Sequence, residues 1–194
     1  RRSSGDQPLT IEELKKWYQE LLDAYHKWIA YSLSWKKERN ASMTDLQFPF
    51  PYREGQREIV SGVYHTVSSK KTLFVQAPTG VGKTMSAIFP SVRAIGEGKG
   101  ETLFYLTAKT ITGTVAWEAF HTLRENGLKF KVTAITAKEK LCFLDSPECT
   151  PEKCPYAKGH FDRVNDAVYE LWTTEEVYSR EVIRAHAEKL QVCP

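Results

Sequence analysis

The stretch Gln76-Ala77-Pro78-Thr79-Gly80-Val81-Gly82-Lys83-Thr84 constrains this chain more than any other. The apolar run Thr72-Leu73-Phe74-Val75 precedes it, and a run with helical spacing, residues 85–95, follows. Strand, glycine-rich turn and helix form the setting of a Walker A phosphate loop. Glycines let the backbone N–H groups point inward around phosphates, a Lys reaches the β- and γ-phosphates, and a hydroxyl ligates Mg²⁺ at the positive end of the helix. Gly80 and Gly82 supply the turn, Lys83 the phosphate contact and Thr84 the Mg²⁺ ligand, with Ala77, Pro78, Thr79 and Val81 completing an ATP cradle. The literal pattern G-x-x-x-x-G-K-S/T fails at its first position, Ala77, which is still small enough to lead into the turn. A glycine-rich turn with an accidental Lys-Thr is the bland alternative, and the flanking strand and helix argue against it.

The segments around this loop alternate. A helix over 53–68 leads into the phosphate-loop strand, and the helix after the loop carries Pro90, which predicts a kink freeing the Ser86 carbonyl. Residues 101–107 read as a second apolar strand, 113–126 as a helix stopped by Gly127, and 130–136 as a third strand. Strand, helix, strand, helix, strand at this spacing predicts an α/β fold with a parallel sheet and right-handed crossovers, the first half of a P-loop ATPase core over residues 46–137. Thr107-Ala108-Lys109-Thr110 falls at the carboxyl edge of the second strand, where open α/β sheets bind ligands. Thr107, Lys109 and Thr110 are candidates for holding single-strand phosphates, Lys109 first; helix capping by Thr110 or Thr112 is the alternative. Gln56 follows an aromatic-proline approach, Phe48 to Tyr52, and its amide can donate to N7 and accept from N6 of an adenine.

Residues 1–45 read as a tail, a long amphipathic helix and a linker. Thr10 with Glu13 forms a capping-box pattern, and Leu9 and Leu14 are spaced for a hydrophobic staple. Leu14, Trp17, Leu21, Ala24, Trp28, Tyr31 and Trp35 keep 3-4 spacing, widened by Tyr18, Leu22, Tyr25 and Ile29, so one broad face is expected to be buried on a neighbouring domain or a partner helix. Residues 40–45 read as the linker. The net charge of +3, spread over charges of both signs, permits a nucleic-acid partner without arguing for one. No apolar run approaches the roughly 18 residues of a membrane span and no signal peptide opens the chain, so a cytoplasmic location is the expectation. The chain begins without Met and stops at Cys193-Pro194 directly after a helical pattern, so both ends are expected to be cuts through a larger protein.

All four cysteines lie in the last third: Cys142, Cys149, Cys154 and Cys193. In a cytosolic ATPase this clustering reads as a metal site before it reads as disulfides. Residues 138–194 therefore read as a mostly helical insertion, with helices over 158–172 and 178–191 between the third cysteine and the fourth. Cys154-Pro155 and Cys193-Pro194 echo the Cys-Pro that closes some ferredoxin motifs, yet four cysteinates hold tetrahedral Zn²⁺ as well as an iron–sulfur cluster, and spacing leaves both open. Lys153, Tyr156, Lys158, His160, Phe161 and Arg163 are candidates for lining a single-strand channel by charge and stacking, with Asp162, Asp166 and Glu170 breaking any uniformly basic face.

The Ala-x-Thr-Gly-x-Gly-Lys-Thr loop resembles that of superfamily 2 helicases, Gln56 resembles their adenine-reading Q-motif, and Thr107 to Thr110 resembles their motif Ia. These are followed in order by Lys-Glu-Lys-Leu-Cys142, Cys149, Pro-Glu-Lys-Cys154-Pro-Tyr-Ala-Lys-Gly and Cys193. Over residues 48–194 that order is similar to the XPD/DinG-like iron–sulfur helicases, especially bacterial ones. The resemblance implies a RecA-like motor domain 1 holding ATP and Mg²⁺, a 4Fe-4S cluster on Cys142, Cys149, Cys154 and Cys193, and 5′-to-3′ translocation on single-stranded or forked DNA. The family's Walker B Asp-Glu-x-His, second motor domain and arginine fingers do not occur in these 194 residues, so the chain is expected to bind nucleotide and metal without DNA-stimulated ATPase activity. Another P-loop NTPase with a structural zinc site, or a single-strand-binding fragment without turnover, are the rival classes.

Overall fold

The computed structural model describes residues 10–108, 110–145 and 148–194, and of residues 110–112 the backbone alone. It separates into two compact units, Arg1–Lys36 and Lys37–Pro194, with the boundary inside the first helix. That helix, α1, spans Ile11–Thr44. Its start is the capping box that Thr10 and Glu13 predict: Glu13 N–H donates to the Thr10 hydroxyl at 3.2 Å, and Thr10 N–H returns to the Glu13 carboxylate at 2.8 Å. The Thr10 N–H first, and then the Thr10 hydroxyl donating to the same carboxylate at 2.8 Å, hold the Glu13 carboxyl below its usual range. Leu9, the other half of the expected staple, lies outside the described residues. Within the first unit Tyr31 stacks on Trp35, while Trp17, Tyr18, Leu21, Leu22 and Tyr25 are exposed.

The expected linker over 40–45 is helical as far as Thr44. A tertiary contact decides this: Met43 is fully buried and packs on Gly96, while the Ser42 hydroxyl accepts from Lys129 N–H at 2.9 Å. Local propensity at Asn40 and Ser42 yields to that anchoring. The second unit is then built on α2 (Gln56–Ser68), α3 (Lys83–Gly96) and α4 (Thr110–Glu125), with α3 packed between the other two. Ile88, Phe89, Val92 and Ile95 of α3 meet Phe120 and Leu123 of α4, with Leu128 and Phe130 closing the cluster. Burial of each such side chain stabilises by about 1.5–3 kcal/mol. Phe48 joins that core by stacking on Tyr52 and meeting Phe89 edge-on. The helix α3 runs on through Pro90, which is fully buried within it. Gly127, at φ +94°, ends α4 as its sequence predicts: Leu128 N–H reaches back to the Leu123 carbonyl at 3.0 Å, and both leucines are buried.

The strands depart from expectation. Within 130–136 only β1, Val132–Thr133, is regular, and it pairs in parallel with β2, Val177–Tyr178, in the register Val132 to Val177 and Thr133 to Tyr178. Segments 72–75 and 101–107 join no ladder among the described residues, and Phe74 and Leu106 are 93% and 88% exposed. A strand exists only where another segment satisfies its backbone groups, and apolar alternation within one segment does not supply that partner. The remaining elements are α5 (Lys138–Leu141), α6 (His160–Thr174) and α7 (Arg180–Lys189), the last capped by Ser179. Because β2 lies between α6 and α7, the cysteine-bearing region returns to pair with β1 midway. Lys131 clamps the junction by donating to the carbonyls of Trp172 and Glu175, and Arg124 pairs with Glu176 at 2.7 Å. No helix among the described residues is long and apolar enough to cross a membrane.

The contact between α1 and α3 sets a first test. A Cβ at Gly96 would stand 2.5 Å from Met43 Cβ, whereas one at Gly113 in α4 meets nothing within 4 Å. Gly96→Ala is expected to destabilise the chain by about 1–3 kcal/mol through overpacking. Gly113→Ala is expected to leave it unchanged or up to about 1 kcal/mol more stable. Urea denaturation followed by circular dichroism reads both; equal effects from the two would contradict the close approach.

Candidate functional site

Two groups of residues carry chemistry, and the first is the phosphate loop. Gly80 and Gly82 have φ of +86° and +84°, a conformation that strains any residue with a Cβ. A Cβ at Gly82 would also stand 2.5 Å from Nε2 at the tip of the Gln56 side chain, so Gln56 would have to shift. The loop delivers Lys83 and Thr84 as the first two residues of α3, whose start has neither a side-chain cap nor an acidic residue in its first turn. The N–H groups of that turn therefore suit an anion. Lys83 folds back over the loop and donates to the carbonyls of Ala77 at 2.9 Å and Pro78 at 2.8 Å. The Thr84 hydroxyl lies 3.2 Å from that of Tyr105, which sets the 102–107 segment beside the loop.

Gln56 is where the sequence places it but turned toward the loop. It is 4% exposed, its Oε1 accepts from Arg53 N–H at 3.0 Å, and its Nε2 faces Gly82. The carboxamide thus ties the start of α2 to the phosphate loop, with one carbonyl lone pair already engaged. Arg53 adds a second tie by donating to the Gly80 carbonyl. Arg53 and Tyr105 were not singled out by sequence. Arg53 stands three residues before Gln56 in a turn, a spacing visible in retrospect, but the Tyr105 contact spans 21 residues and has no local signal. Of the candidates for nucleic-acid contact, Thr107 is exposed, Thr110 opens α4 with its side chain outside the described residues, and Lys109 lies outside them altogether.

The second group is the four thiols, all of them free. Cys142 follows α5 directly, Cys149 is exposed, Cys154 is 7% exposed, and Cys193 follows α7. Two arginines hold the segments that bear them. Arg184 of α7 donates to the carbonyls of Leu141 and Cys142 at 2.7 and 2.8 Å while its guanidinium lies over the Phe143 ring. Arg163 of α6 donates to the carbonyls of Lys158 at 2.8 Å and Gln191 at 2.5 Å. Cys193 N–H donates to His160 Nδ1 at 3.2 Å, so that nitrogen carries a lone pair and His160 serves the backbone. The thiols lie within electrostatic range of one another. Burial pushes the Cys193 thiol up, Lys138 pulls it down, and Cys149, Cys142 and Cys154 push it further up. Lys138 Nζ donates to Cys149 Sγ at 3.5 Å; that bond first, then the sulfurs of Cys149, Cys193 and Cys142, hold the ammonium protonated above its usual range.

Among the described residues no three Cys, His, Asp or Glu side chains stand close enough to share one metal ion. The donor set itself fits a cluster: four thiols without a disulfide, one of them buried, with a cation and the Leu144 N–H, 3.4 Å from Cys142 Sγ, directed at sulfur. The other insertion candidates are largely engaged within the protein. Lys153 pairs with Glu148, Tyr156 packs on Phe143, and Arg163 holds carbonyls, whereas Lys158 is exposed and Phe161 is 84% exposed. A cavity of about 390 Å³ lined by Trp117, Phe120, Val132 and Val177 shares no residue with either group.

Comparison with known proteins gives a short likeness. Over 47 residues, 24% of this chain, the sequence is 40% identical to a protein of Methanocaldococcus jannaschii described as a probable ATP-dependent helicase. The match spans 7% of that protein's length. No protein-family model and no solved structure matches the chain.

The thiols differ enough in burial to be ranked. Alkylation is expected to be fastest at exposed Cys149 and slowest at buried Cys154, because the thiolate is the nucleophile and must be reached. Cys193 starts slowly near pH 7, since its raised pKa lowers the thiolate fraction, and accelerates as pH rises from about 7 to about 9. Peptide mapping by mass spectrometry reads the rates; faster labelling at Cys193 than at Cys149 at neutral pH would contradict the arrangement.

Proposed function

We propose that this chain is the amino-terminal part of motor domain 1, with its cluster insertion, of an ATP-dependent 5′-to-3′ DNA helicase of the XPD/DinG-like iron–sulfur type. The observation that carries the reading is the loop from Gly80 to Thr84: two left-handed glycines, one packed against Gln56, presenting an uncapped helix start with a Lys and a hydroxyl as its first two side chains. The short likeness to a helicase described as ATP-dependent supports it.

In this reading the chain's own residues act as follows. Lys83 exchanges the carbonyls of Ala77 and Pro78 for β- and γ-phosphate oxygens, so the charge enters the site already positioned by the loop. The Thr84 hydroxyl would hold Mg²⁺, which would supply charge neutralisation at the phosphates, and the N–H groups of the first turn of α3 face the phosphates. Gln56 keeps the loop against α2 and offers its remaining lone pair to the base. Thr107, Lys109 and Thr110 hold the backbone of single-stranded DNA, which couples nucleotide to strand through the Tyr105 segment. Segments 72–75 and 101–107, which join no ladder among the described residues, are read as the strands of the parallel sheet that such a motor domain would have. Cys142, Cys149, Cys154 and Cys193 would hold a 4Fe-4S cluster, which supplies a rigid cross-link among the insertion's segments and a one-electron centre.

Equilibrium binding of a fluorescent ATP analogue with Mg²⁺ tests the reading. Lys83→Ala is expected to weaken binding by about tenfold or more, on the order of 1.4 kcal/mol. Gly82→Ala is expected to weaken it comparably through the strain of a Cβ at φ +84°. Binding that is unchanged in Lys83→Ala, in protein with an unaltered circular dichroism spectrum, would overturn the nucleotide assignment.

A further inference from the structure

We propose that α1 is a self-association surface: two copies of this chain pair through residues 11–36 as antiparallel helices, the acidic half of each lying along the basic half of the other. The inference uses the first unit of the chain alone, so it stands or falls independently of the nucleotide and sulfur readings above.

The face itself comes first. Among the described residues α1 is the one element of the first unit, and Leu14, Trp17, Tyr18, Leu21, Leu22 and Tyr25 on it are exposed. Ile11, Leu14, Tyr18, Leu21 and Tyr25 alternate steps of three and four residues, and the alternation runs on through Trp28 and Ser32 to Trp35. This is a heptad repeat. A period of 3.5 residues keeps one seam turned toward a neighbour that is itself a helix, so the face is shaped for a helical partner. At 1.5 Å per residue the seam runs for about 39 Å. A long exposed apolar stripe bordered by charges marks an interaction surface.

Two features say which helix covers it. Residues 11–23 carry Glu12, Glu13, Glu20 and Asp23 against Lys15 and Lys16, a net charge of −2. Residues 24–36 carry Lys27 and Lys36 and no carboxylate, a net charge of +2 with His26 neutral. A second copy running antiparallel sets each half against its opposite, whereas a parallel copy sets like charge on like. The seam has a centre of its own. When a second α1 runs the other way about Asp23, the first position of each heptad falls level with a fourth position of the other copy: Ile11 with Trp35, Tyr18 with Trp28 and Leu21 with Tyr25. The reversal of charge, between Asp23 and Ala24, and the centre of the seam therefore coincide within one residue. One two-fold axis satisfies both, which is the requirement of an isologous dimer. A helix of another protein would need neither coincidence.

The test uses the whole chain. Sedimentation equilibrium is expected to show a reversible dimer. Leu21→Gln combined with Tyr25→Gln is expected to weaken it by about tenfold or more, since each substitution is met twice in a symmetric pair. Ala30→Gln, exposed and on the side of the helix opposite Leu21, is expected to leave it unchanged. Circular dichroism checks that the variants keep their helix, as the similar propensities of Gln and Leu predict. Carbodiimide cross-linking of mixed unlabelled and isotope-labelled chains reads the orientation and needs no substitution. An amide between the carboxylate of Glu12 or Glu13 and the ammonium of Lys36 is expected to join a labelled to an unlabelled copy. Within one helix Glu12 and Lys36 lie about 36 Å apart, so that link cannot form inside a single copy. A chain that stays monomeric from micromolar to submillimolar concentration would overturn the proposal and leave the face to a different protein. A dimer of undiminished affinity in the Leu21 and Tyr25 double variant would overturn it by placing the contact elsewhere. Links between copies confined to Glu20 with Lys15 or Lys16 would overturn it by showing a parallel pair.

Discussion

The approach of the Gln56 carboxamide to Gly82 is the constraint on which the phosphate loop depends. The tip of the Gln56 side chain lies against Gly82, and the left-handed φ of Gly82 lets the chain turn there into α3. Gln56 is buried there and satisfies its oxygen with Arg53 N–H. From that anchor α3 runs between α2 and α4, with a continuous apolar face from Met85 to Ile95. The loop is thus built from the core outward. Its cations, Lys83 and Arg53, hold the loop's own carbonyls, a pre-organised arrangement in which charge is in place before any anion arrives.

A second constraint organises the cysteine region. Its segments contain few large buried side chains, the satellite core being Ala167, Ala187 and Val192 with Phe143 and Leu190 packed on it. Arginine-to-carbonyl bonds take over where apolar packing is thin: Arg184 secures the chain at Cys142, and Arg163 secures it before Cys193. The Arg163 guanidinium spans carbonyls far apart in sequence, at Lys158 and Gln191, whereas that of Arg184 binds the adjacent carbonyls of Leu141 and Cys142. The junction with the helical core is equally polar, through Lys131 and the Arg124–Glu176 pair, and burial lowers the Lys131 pKa there.

How much of this was legible in the sequence depends on how local each cause is. The Thr10–Glu13 box, the stop at Gly127, the glycines of the phosphate loop and the helices after it are set within a few residues, and they are present as read. The extent of α1 was not legible, because residues 40–44 are helical through Met43 meeting Gly96, a contact across some fifty residues. The strands over 72–75 and 101–107 were read from short apolar runs and from the strand-loop-helix setting of the glycine-rich loop. A ladder needs a partner at the right register, and among the described residues only Val132–Thr133 and Val177–Tyr178 supply one another with it. The four cysteines were visible as a group, but Lys138 was not, since a lysine four residues before a cysteine looks like any other surface charge until the chain folds it onto Cys149. Arg53 and Tyr105 were missed for the same reason. The reading of Lys109 as the leading DNA contact falls on a residue outside those described.

The central claim is that one chain carries both a nucleotide loop and a four-thiolate iron–sulfur site, and metal content tests it most directly. Iron, acid-labile sulfide and zinc would be measured on protein purified without oxygen, with a visible absorption spectrum, beside a Cys154→Ser variant. The account predicts about four irons and four sulfides per chain, with a broad visible band that the variant loses. Stoichiometric zinc without iron, or iron that persists undiminished in Cys154→Ser, would contradict it.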